Sequence, residues 1–408
     1  MTSTQETQTR GPRSVRTGPW RVTLHPPVLV RLGERHEHIT RPNLAHLDGA
    51  IAAIYQTTFD TSATPRDRRE IAISRDGGQT WQVVRRDVDL GSYAIAHTPR
   101  REAVVMPYDS IRYGATRDSL TGPRVTLRFQ DNDLHLTRDT TTAHFPAALK
   151  GFLAEPILDD AGKPLYLEDD LPPSDKPITA FWGAIHVMSD GRWLAPVYGC
   201  YESDPYARQS PAPEMRRLAR FTSELCVSED HGRTWRWYAR LAAPGDVDPS
   251  CVEGPSEAHL HFFGSHWRAF FRSSALKGFF SPLHVCDSHD SGRTWSRPRP
   301  LPQLNAIMDP RGLQLPGGVT VLSAGRPKIE LFLARHDSLD FQPVGLTEHH
   351  NAYLPRLRTT GHTDVISLSP RRLLVVYDSI PDSWRWPGSP FTAPDAIYVV
   401  RIDLDCEE

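Results

Sequence analysis

The residues best suited to chemistry lie far apart in the chain. Glu257 and Arg272 stand fifteen residues apart, in Gly254-Pro-Ser-Glu257-Ala-His-Leu-His-Phe-Phe-Gly264 and the following Trp267-Arg-Ala-Phe-Phe-Arg272. Arg326 sits in Ser323-Ala-Gly-Arg326-Pro-Lys, His362 in Gly361-His362-Thr363, and Arg41 in Thr40-Arg41-Pro42-Asn43-Leu44. A guanidinium is a planar fork that grips a carboxylate with two bonds and keeps its charge. An imidazole titrates near neutrality and suits proton transfer. Residues of these types can hold an anion and move a proton. The plainer reading is a Glu257–Arg272 surface pair and a solvated Arg326 at a turn. The chemical reading needs an architecture that carries these distant segments to one place.

A turn motif supplies the clue to that architecture. Ser74-Arg-Asp76-Gly-Gly78-Gln-Thr80-Trp81, Ser228-Glu-Asp230-His-Gly232-Arg-Thr234-Trp235 and Ser288-His-Asp290-Ser-Gly292-Arg-Thr294-Trp295 share five positions. Ser and Asp cap their own turn through side-chain bonds to nearby N–H groups. Gly takes a positive φ, and Trp offers a large apolar face for packing between sheets. Alternating segments flank each turn, for example Glu70-Ile-Ala-Ile-Ser74 and Trp81-Gln-Val-Val84, so each is read as a hairpin between strands. Strand patterns continue between the motifs, and no long amphipathic helix pattern appears. The expected fold is all-β: a six-bladed β-propeller of four-stranded antiparallel blades. The blades are placed near residues 40–90, 91–145, 180–245, 255–300, 305–350 and 360–405. Trp20-Arg-Val-Thr-Leu24 is expected to pair with the last blade and close the ring.

Composition narrows the function classes. The chain has 408 residues, 39% apolar and 24% charged, with a net charge of −2. That balance gives no electrostatic case for nucleic acid or an anionic membrane as partner. Its five cysteines are odd in number and form no C-x-x-C pair, which argues against a zinc site or a disulfide framework. No metal and no cofactor is expected. Residues 1–18 are polar and read as a disordered lead, with a single domain over 19–408. There is no signal-peptide core and no run of 18 apolar residues, so a cytoplasmic protein is expected.

The repeated turn and the order of strands resemble the sialidase (neuraminidase) superfamily, whose Asp-box, or BNR repeat, has this form. The resemblance covers nearly the whole chain and implies a pocket on the propeller axis. It implies that Arg41, Arg272 and Arg326 bind a sugar carboxylate and that Glu257 assists the nucleophile. Arg311, in Asp309-Pro-Arg-Gly312, competes with Arg326, and Glu253 is a weaker substitute for Glu257. The family's nucleophilic tyrosine is absent: the register places His362 there, with Tyr377 and Asp378 matching the supporting Tyr and Glu. Tyr353, nine residues earlier, is a possible substitute. In the first blade Arg41 stands one residue away from the family's arginine, a shift that reverses strand facing unless a bulge at Pro42 restores it. Asp60 and Asp67 are both available as the acid/base. In the third blade Tyr198, Tyr201 and Glu202 could line the pocket, whereas His186 reads as a core residue.

Three functions follow from this reading. The first is an exo-glycoside hydrolase on a sialic acid or related acidic sugar, with His362 as base for an attacking water. The second is a lyase on uronic-acid glycans, with arginines stabilising charge while His362 removes the α-proton. The third is a carbohydrate-binding or assembly propeller without turnover.

Overall fold

The structure is a computed structural model that describes residues 11–34, 37–58, 68–90, 94–108, 110–151, 177, 179–204, 220–248, 251–275, 282–304, 308–381 and 392–406. Strands β1 (Arg13–Thr17), β2 (Trp20–Leu24) and β3 (Val28–Leu32) come first. A four-strand group follows: β4 (Thr40–Leu47), β5 (Ala50–Gln56), β6 (Arg68–Ser74) and β7 (Gln82–Asp89). The next group is β8 (Ile95–His97), β9 (Ala103–Val105), β10 (Arg112–Tyr113), β11 (Ser119–Gln130) and β12 (Asp133–His144). Then come β13 (Ala180–Phe181), β14 (Ala184–Val187), β15 (Trp193–Gly199), β16 (Thr222–Ser228) and β17 (Thr234–Ala242). A fourth group holds β18 (Cys251–Phe263), β19 (His266–Ala275), β20 (His284–Ser288) and β21 (Arg299–Pro300). A fifth holds β22 (Met308–Leu315), β23 (Val319–Gly325), β24 (Glu330–Arg335) and β25 (Gln342–Gly345). The last is β26 (Thr363–Ser369), β27 (Arg372–Ser379) and β28 (Ala396–Cys406). One short α-helix, Leu346–Asn351, and a 3-10 turn at Pro244–Asp246 are the helical elements among the described residues.

Three groups are separate four-stranded antiparallel sheets: β4–β7, β18–β21 and β22–β25. The groups β8–β12 and β14–β17 instead share one sheet, joined by parallel pairs β8–β14 and β12–β17. With β9 paired to β11, eight of these strands form a closed ring of hydrogen bonds. The last sheet takes its outer strands from the start of the chain. β28 pairs with β3 over Ala396–Val399 and with β2 over Ile402–Cys406. The segment 1–18, expected to be an unstructured lead, contributes β1, which adds to the edge of β2 from Arg13↔Leu24 to Thr17↔Trp20. Its polar residues need no core there, because the β2 edge supplies backbone partners and Ser14 bonds Thr23 at 3.0 Å.

Strand alternation builds the core between groups. In β5, Ala52 and Ile54 pack toward β8–β12, while Ile51, Ala53 and Tyr55 pack toward β27 and β28. In β27, Leu373, Val375 and Tyr377 face β22–β24, and Leu374 and Val376 face β4 and β5. Both faces of these strands are buried, which explains their near-continuous apolar text. Each such side chain contributes roughly 1.5–3 kcal/mol of burial.

The three repeated turns are hairpins, between β6 and β7, β16 and β17, and β20 and β21. In each, the Ser hydroxyl accepts from the Gly N–H, at 2.8 Å from Gly78, 2.8 Å from Gly232 and 2.9 Å from Gly292. Asp76, Asp230 and Asp290 each accept two further N–H groups of their own turn. The glycines adopt φ of 87°, 80° and 81°, a conformation that favours a residue without Cβ. The Trp indoles return a bond to the Gly carbonyl at 2.9–3.2 Å.

Candidate functional site: a buried imidazole among four arginines

Three first strands of their groups carry the same irregularity. β4 pairs with β5 at Thr40↔Gln56 and then at Asn43↔Ile54, so one extra residue is accommodated. β18 does the same between Ser256↔Arg272 and His259↔Phe270, and β22 between Met308↔Gly325 and Arg311↔Ser323. The extra residue is a β-bulge, which bends a strand and re-aims a side chain. Arg41, Glu257 and Asp309 occupy equivalent places in these bulges, with φ of 53°, 51° and 44°. Non-glycine residues held there cost on the order of 1–3 kcal/mol each, a strain that gathers at functional sites. The bulge anticipated near Pro42 is thus present. Gly183, between β13 and β14, has a φ of 88°, and a Cβ there would stand 2.5 Å from the Ala258 carbonyl.

The bulges bring charged groups into contact. Arg272 Nη1 donates to Glu257 Oε1 at 2.9 Å, and the Asp309 N–H donates to Glu257 Oε2 at 3.2 Å. Asp309 Oδ1 accepts from the Trp182 indole at 2.8 Å and lies 2.9 Å from Arg311 Nε. Arg326 donates twice to the Thr360 carbonyl, at 3.2 and 2.7 Å. Arg41 Nη1 donates to the Gln56 amide oxygen at 3.4 Å. Trp182, Tyr108 and Tyr198 form an aromatic wall, with the Trp182 ring 5.7 and 5.8 Å from the two tyrosine rings. The Tyr108 and Tyr198 hydroxyls are 3.3 Å apart.

His362 is buried, and its ring centroid is 6.3 Å from that of Trp182. Its Nδ1 lies 2.8 Å from the Thr360 hydroxyl, which donates to Asp378. Asp378, fully buried, also accepts from Thr40 Oγ1 at 2.8 Å and from the Thr360 N–H at 3.0 Å. Burial holds the imidazole well below its usual range, and the charges of Arg41, Arg326, Arg272 and Arg311 push it lower. Arg41, Arg272 and the pair Arg311 and Arg326, drawn from three strand groups, thus all lie close enough to act on one ring. Burial has the opposite effect on a carboxyl: it pushes Asp309 up to about 6, against the pull of Arg311 and with the help of Glu257. Burial, Tyr108 and Glu257 together raise the Tyr198 phenol well above its usual range.

The structure therefore gathers Arg41, Glu257, Arg272, Arg326 and His362, and adds Arg311 to them rather than substituting it for Arg326. Tyr377 is not among them. It lies next to Asp378 on β27, so its side chain takes the opposite face, where its hydroxyl is 2.9 Å from His350 Nδ1. Tyr353 bonds the Gly11 carbonyl at 2.7 Å, also away from His362. Asp60, Asp67 and the Glu253 side chain lie outside the described residues. Tyr198 joins the site, whereas Tyr201 packs within the β14–β17 core and Glu202 stands 3.5 Å from Arg117. Sequence reasoning missed Asp309, Trp182 and Thr360. Asp309 was legible only through the bulge it shares with Glu257.

A separate cleft of about 550 Å³ lies between the β8–β12 and β14–β17 groups, near Trp193 and His231, and contains none of these residues. Among the described residues, no group of three or more His, Cys, Asp or Glu side chains is placed to hold a metal ion. No helix among them is long and apolar enough to cross a membrane.

The sequence matches no protein-family model and no curated protein. Solved structures do match. A Dyadobacter fermentans protein of unknown function aligns over 94% of this chain and 99% of its own, at 16% identity and a TM-score of 0.55. Trypanosoma rangeli sialidase, in complex with 2,3-difluoro-KDN, aligns over 90% of this chain at 15% identity and a TM-score of 0.51. The match covers 54% of that sialidase, so this chain corresponds to about half its length. A Penicillium chrysogenum α-L-arabinanase, complexed with arabinobiose, aligns over 92% of this chain and 98% of its own, at 12% identity and a TM-score of 0.55. At such identities the likeness concerns the fold: an all-β architecture shared with propeller glycosidases.

Proposed function

We propose that this chain is a sialidase-like exo-glycoside hydrolase acting on a sialic acid or related acidic sugar, built as one six-bladed β-propeller with Asp-box turns. The six-blade reading is supported by six apolar clusters, each joining consecutive strand groups, the last joining the final group to the first. The single observation that carries the functional reading is that Arg41 and Arg326 bond the Asp378–Thr360–His362 chain, with Arg272 and Arg311 close enough to act on the same buried ring. Such a site suits a planar anion, and a sugar carboxylate fits the donors of an arginine fork. The complexes of the aligned glycosidases favour a glycan as the ligand.

His362 stands where the family resemblance expects a tyrosine, and it cannot form a stable glycosyl ether. It serves instead as base, and only in the complex, where a bound carboxylate offsets the arginine charges that depress the free ring. The Thr360 hydroxyl proton is directed at Asp378, so Thr360 accepts from Nδ1–H and leaves the lone pair on Nε2. Nε2 then takes a proton from a water that attacks the anomeric carbon, with inversion of configuration.

The test is proton NMR of freshly hydrolysed sialosides. Inverted product, lost in His362→Ala, is the expected result. Retained product rules out the water mechanism. Carboxylate binding with no turnover favours a binding propeller, and an unsaturated, ultraviolet-absorbing uronate product favours a lyase.

A further inference from the structure

We propose that Asp309 is the general acid of this site, sharing the Trp182 wall with His362. The proposal rests on the hydrolase reading above, and it assigns a role that neither Asp60 nor Asp67 needs to fill.

The argument starts from two carboxylates in equivalent bulges. Glu257 and Asp309 sit at the same level of neighbouring strands, β18 and β22, and a 3.2 Å bond from the Asp309 N–H to Glu257 Oε2 ties them together. Their surroundings differ. Glu257 is ion-paired with Arg272 at 2.9 Å. Asp309 is 2% exposed; the Trp182 indole donates to its Oδ1, and Arg311 Nε lies 2.9 Å from that same oxygen as an ion pair. Oδ2 is left as the oxygen that can carry a proton. The groups facing the carboxyl are Arg311 on its own strand, Glu257 with its partner Arg272 from β18 and β19, and Trp182 from the β13–β14 turn. Burial, the largest influence, and the Glu257 charge favour the neutral form, whereas Arg311 and the Trp182 hydrogen bond favour the charged one, and the first two prevail up to about pH 6. A carboxyl held neutral in this way beside the Glu257–Arg272 ion pair is placed to act as an acid.

The step balances. The glycosidic C–O bond breaks, and the Oδ2 proton of Asp309 goes to the leaving alcohol oxygen. A water oxygen bonds the anomeric carbon, and its proton goes to His362 Nε2. Solvent then returns a proton to Asp309 and removes one from His362. The net reaction is a glycoside plus water giving the free sugar, a hemiketal, and the aglycone alcohol.

Asp309→Asn and Asp309→Glu are compared with the wild-type chain on two sialosides, one with a sugar aglycone and one with 4-nitrophenol. A nitrophenolate leaves without protonation, so an acid matters little to it. The expected result for Asp309→Asn is a loss of about 10²–10⁴-fold in kcat on the sugar aglycone, and a far smaller loss on the nitrophenyl substrate. The fall of wild-type kcat/KM above pH 6 should vanish in Asp309→Asn, and Asp309→Glu should recover part of the rate. Equal losses on both substrates, or an unchanged alkaline fall, overturn the assignment while leaving the hydrolase reading intact. No wild-type turnover on either substrate defeats the hydrolase reading, and the acid role with it. Infrared difference spectra check the carboxyl directly: a protonated C=O band present at pH 5 and absent from Asp309→Asn is expected. Its absence from the wild type overturns the proposal even where a variant fails to fold.

Discussion

His362 Nδ1 stands 2.8 Å from the Thr360 hydroxyl, and that hydroxyl donates to the buried carboxylate of Asp378. The hydroxyl oxygen is therefore an acceptor toward the ring, and the proton of the neutral imidazole belongs on Nδ1. Thr360→Val removes the acceptor and keeps the shape. We expect kcat to fall on the order of 10²-fold, the lower end of what general-base catalysis contributes, with KM little changed. Nitrogen-15 NMR checks the cause: His362 should be protonated at Nδ1 in the wild type. A ring protonated at Nε2 would contradict the assignment.

The four arginines that depress His362 also make anion binding proton-linked. A bound carboxylate cancels part of their field, so the His362 pKa rises in the complex. The bound state then holds more protons than the free state, and affinity for a carboxylate ligand strengthens as pH falls from neutrality. Calorimetry with a sialic acid analogue in buffers of different ionisation enthalpy should show proton uptake. His362→Gln should reduce the uptake, the remainder belonging to Asp309, and preserve most of the binding. Identical heats in all buffers would count against the geometry.

Arg326 reaches the Thr360 carbonyl through both Nε and Nη2, a fork that lysine cannot reproduce. Arg326→Lys should raise KM for an acidic sugar about 10–100-fold, the equivalent of one charge-assisted bond of roughly 1.5–3 kcal/mol. The methyl ester of the same sugar should bind weakly to the wild type and lose little more in the variant. An equal further loss with the ester would mean that Arg326 acts on the loop, not on the carboxylate.

The repeated turns should matter for stability alone. Ser228 Oγ donates to Asp230 at 2.8 Å and accepts from the Gly232 N–H at 2.8 Å. Ser228→Ala removes both bonds inside a buried turn, at a cost of about 1–3 kcal/mol. A lower urea midpoint with unchanged kcat/KM is expected. A change in kcat/KM at matched folded fraction would reassign the turn to function.

Much of this was readable in the residues, because periodicity and turn chemistry are local. The strand groups follow the segments marked out by alternation, and Ser74, Ser228 and Ser288 cap the turns that their spacing implied. Arg272 and His362 were reachable for the same reason, and Glu257 was reached through the motif around it although its strand carries a bulge. Adjacent residues on β27 show where such reasoning stops. Tyr377 and Asp378 matched together, yet a strand sends neighbours to opposite faces, so only one could enter the site. Asp309 fails differently: it sits in a bulge, and one extra residue inverts every facing assignment made by counting, whereas at Arg41 the adjoining Pro42 marked the bulge in advance. β1 was invisible because Arg13-Ser-Val-Arg-Thr17 has almost no apolar text, and its pairing depends on an edge made elsewhere.

The histidines below the site make acid the condition under which this fold should fail first. His186, His259 and His261 are packed in series, with ring centroids 5.3 and 4.8 Å apart. Burial lowers all three, His186 and His261 to about 3, and neighbouring positive charge lowers them further. In the unfolded chain each titrates near 6.5. Between roughly pH 6.5 and 3 the unfolded state therefore binds protons that the folded state refuses, and stability falls as pH falls. The slope is about 1.4 kcal/mol per pH unit for each histidine. Stability that is present above pH 6.5 is thus withdrawn below it, the reverse of a histidine stabilised by an acidic partner. Urea unfolding between pH 7.5 and 4.5 should show the midpoint dropping steeply, and His261→Gln should make the drop shallower by about one proton. A pH-independent midpoint over that range would mean that these rings are not neutral in the folded protein.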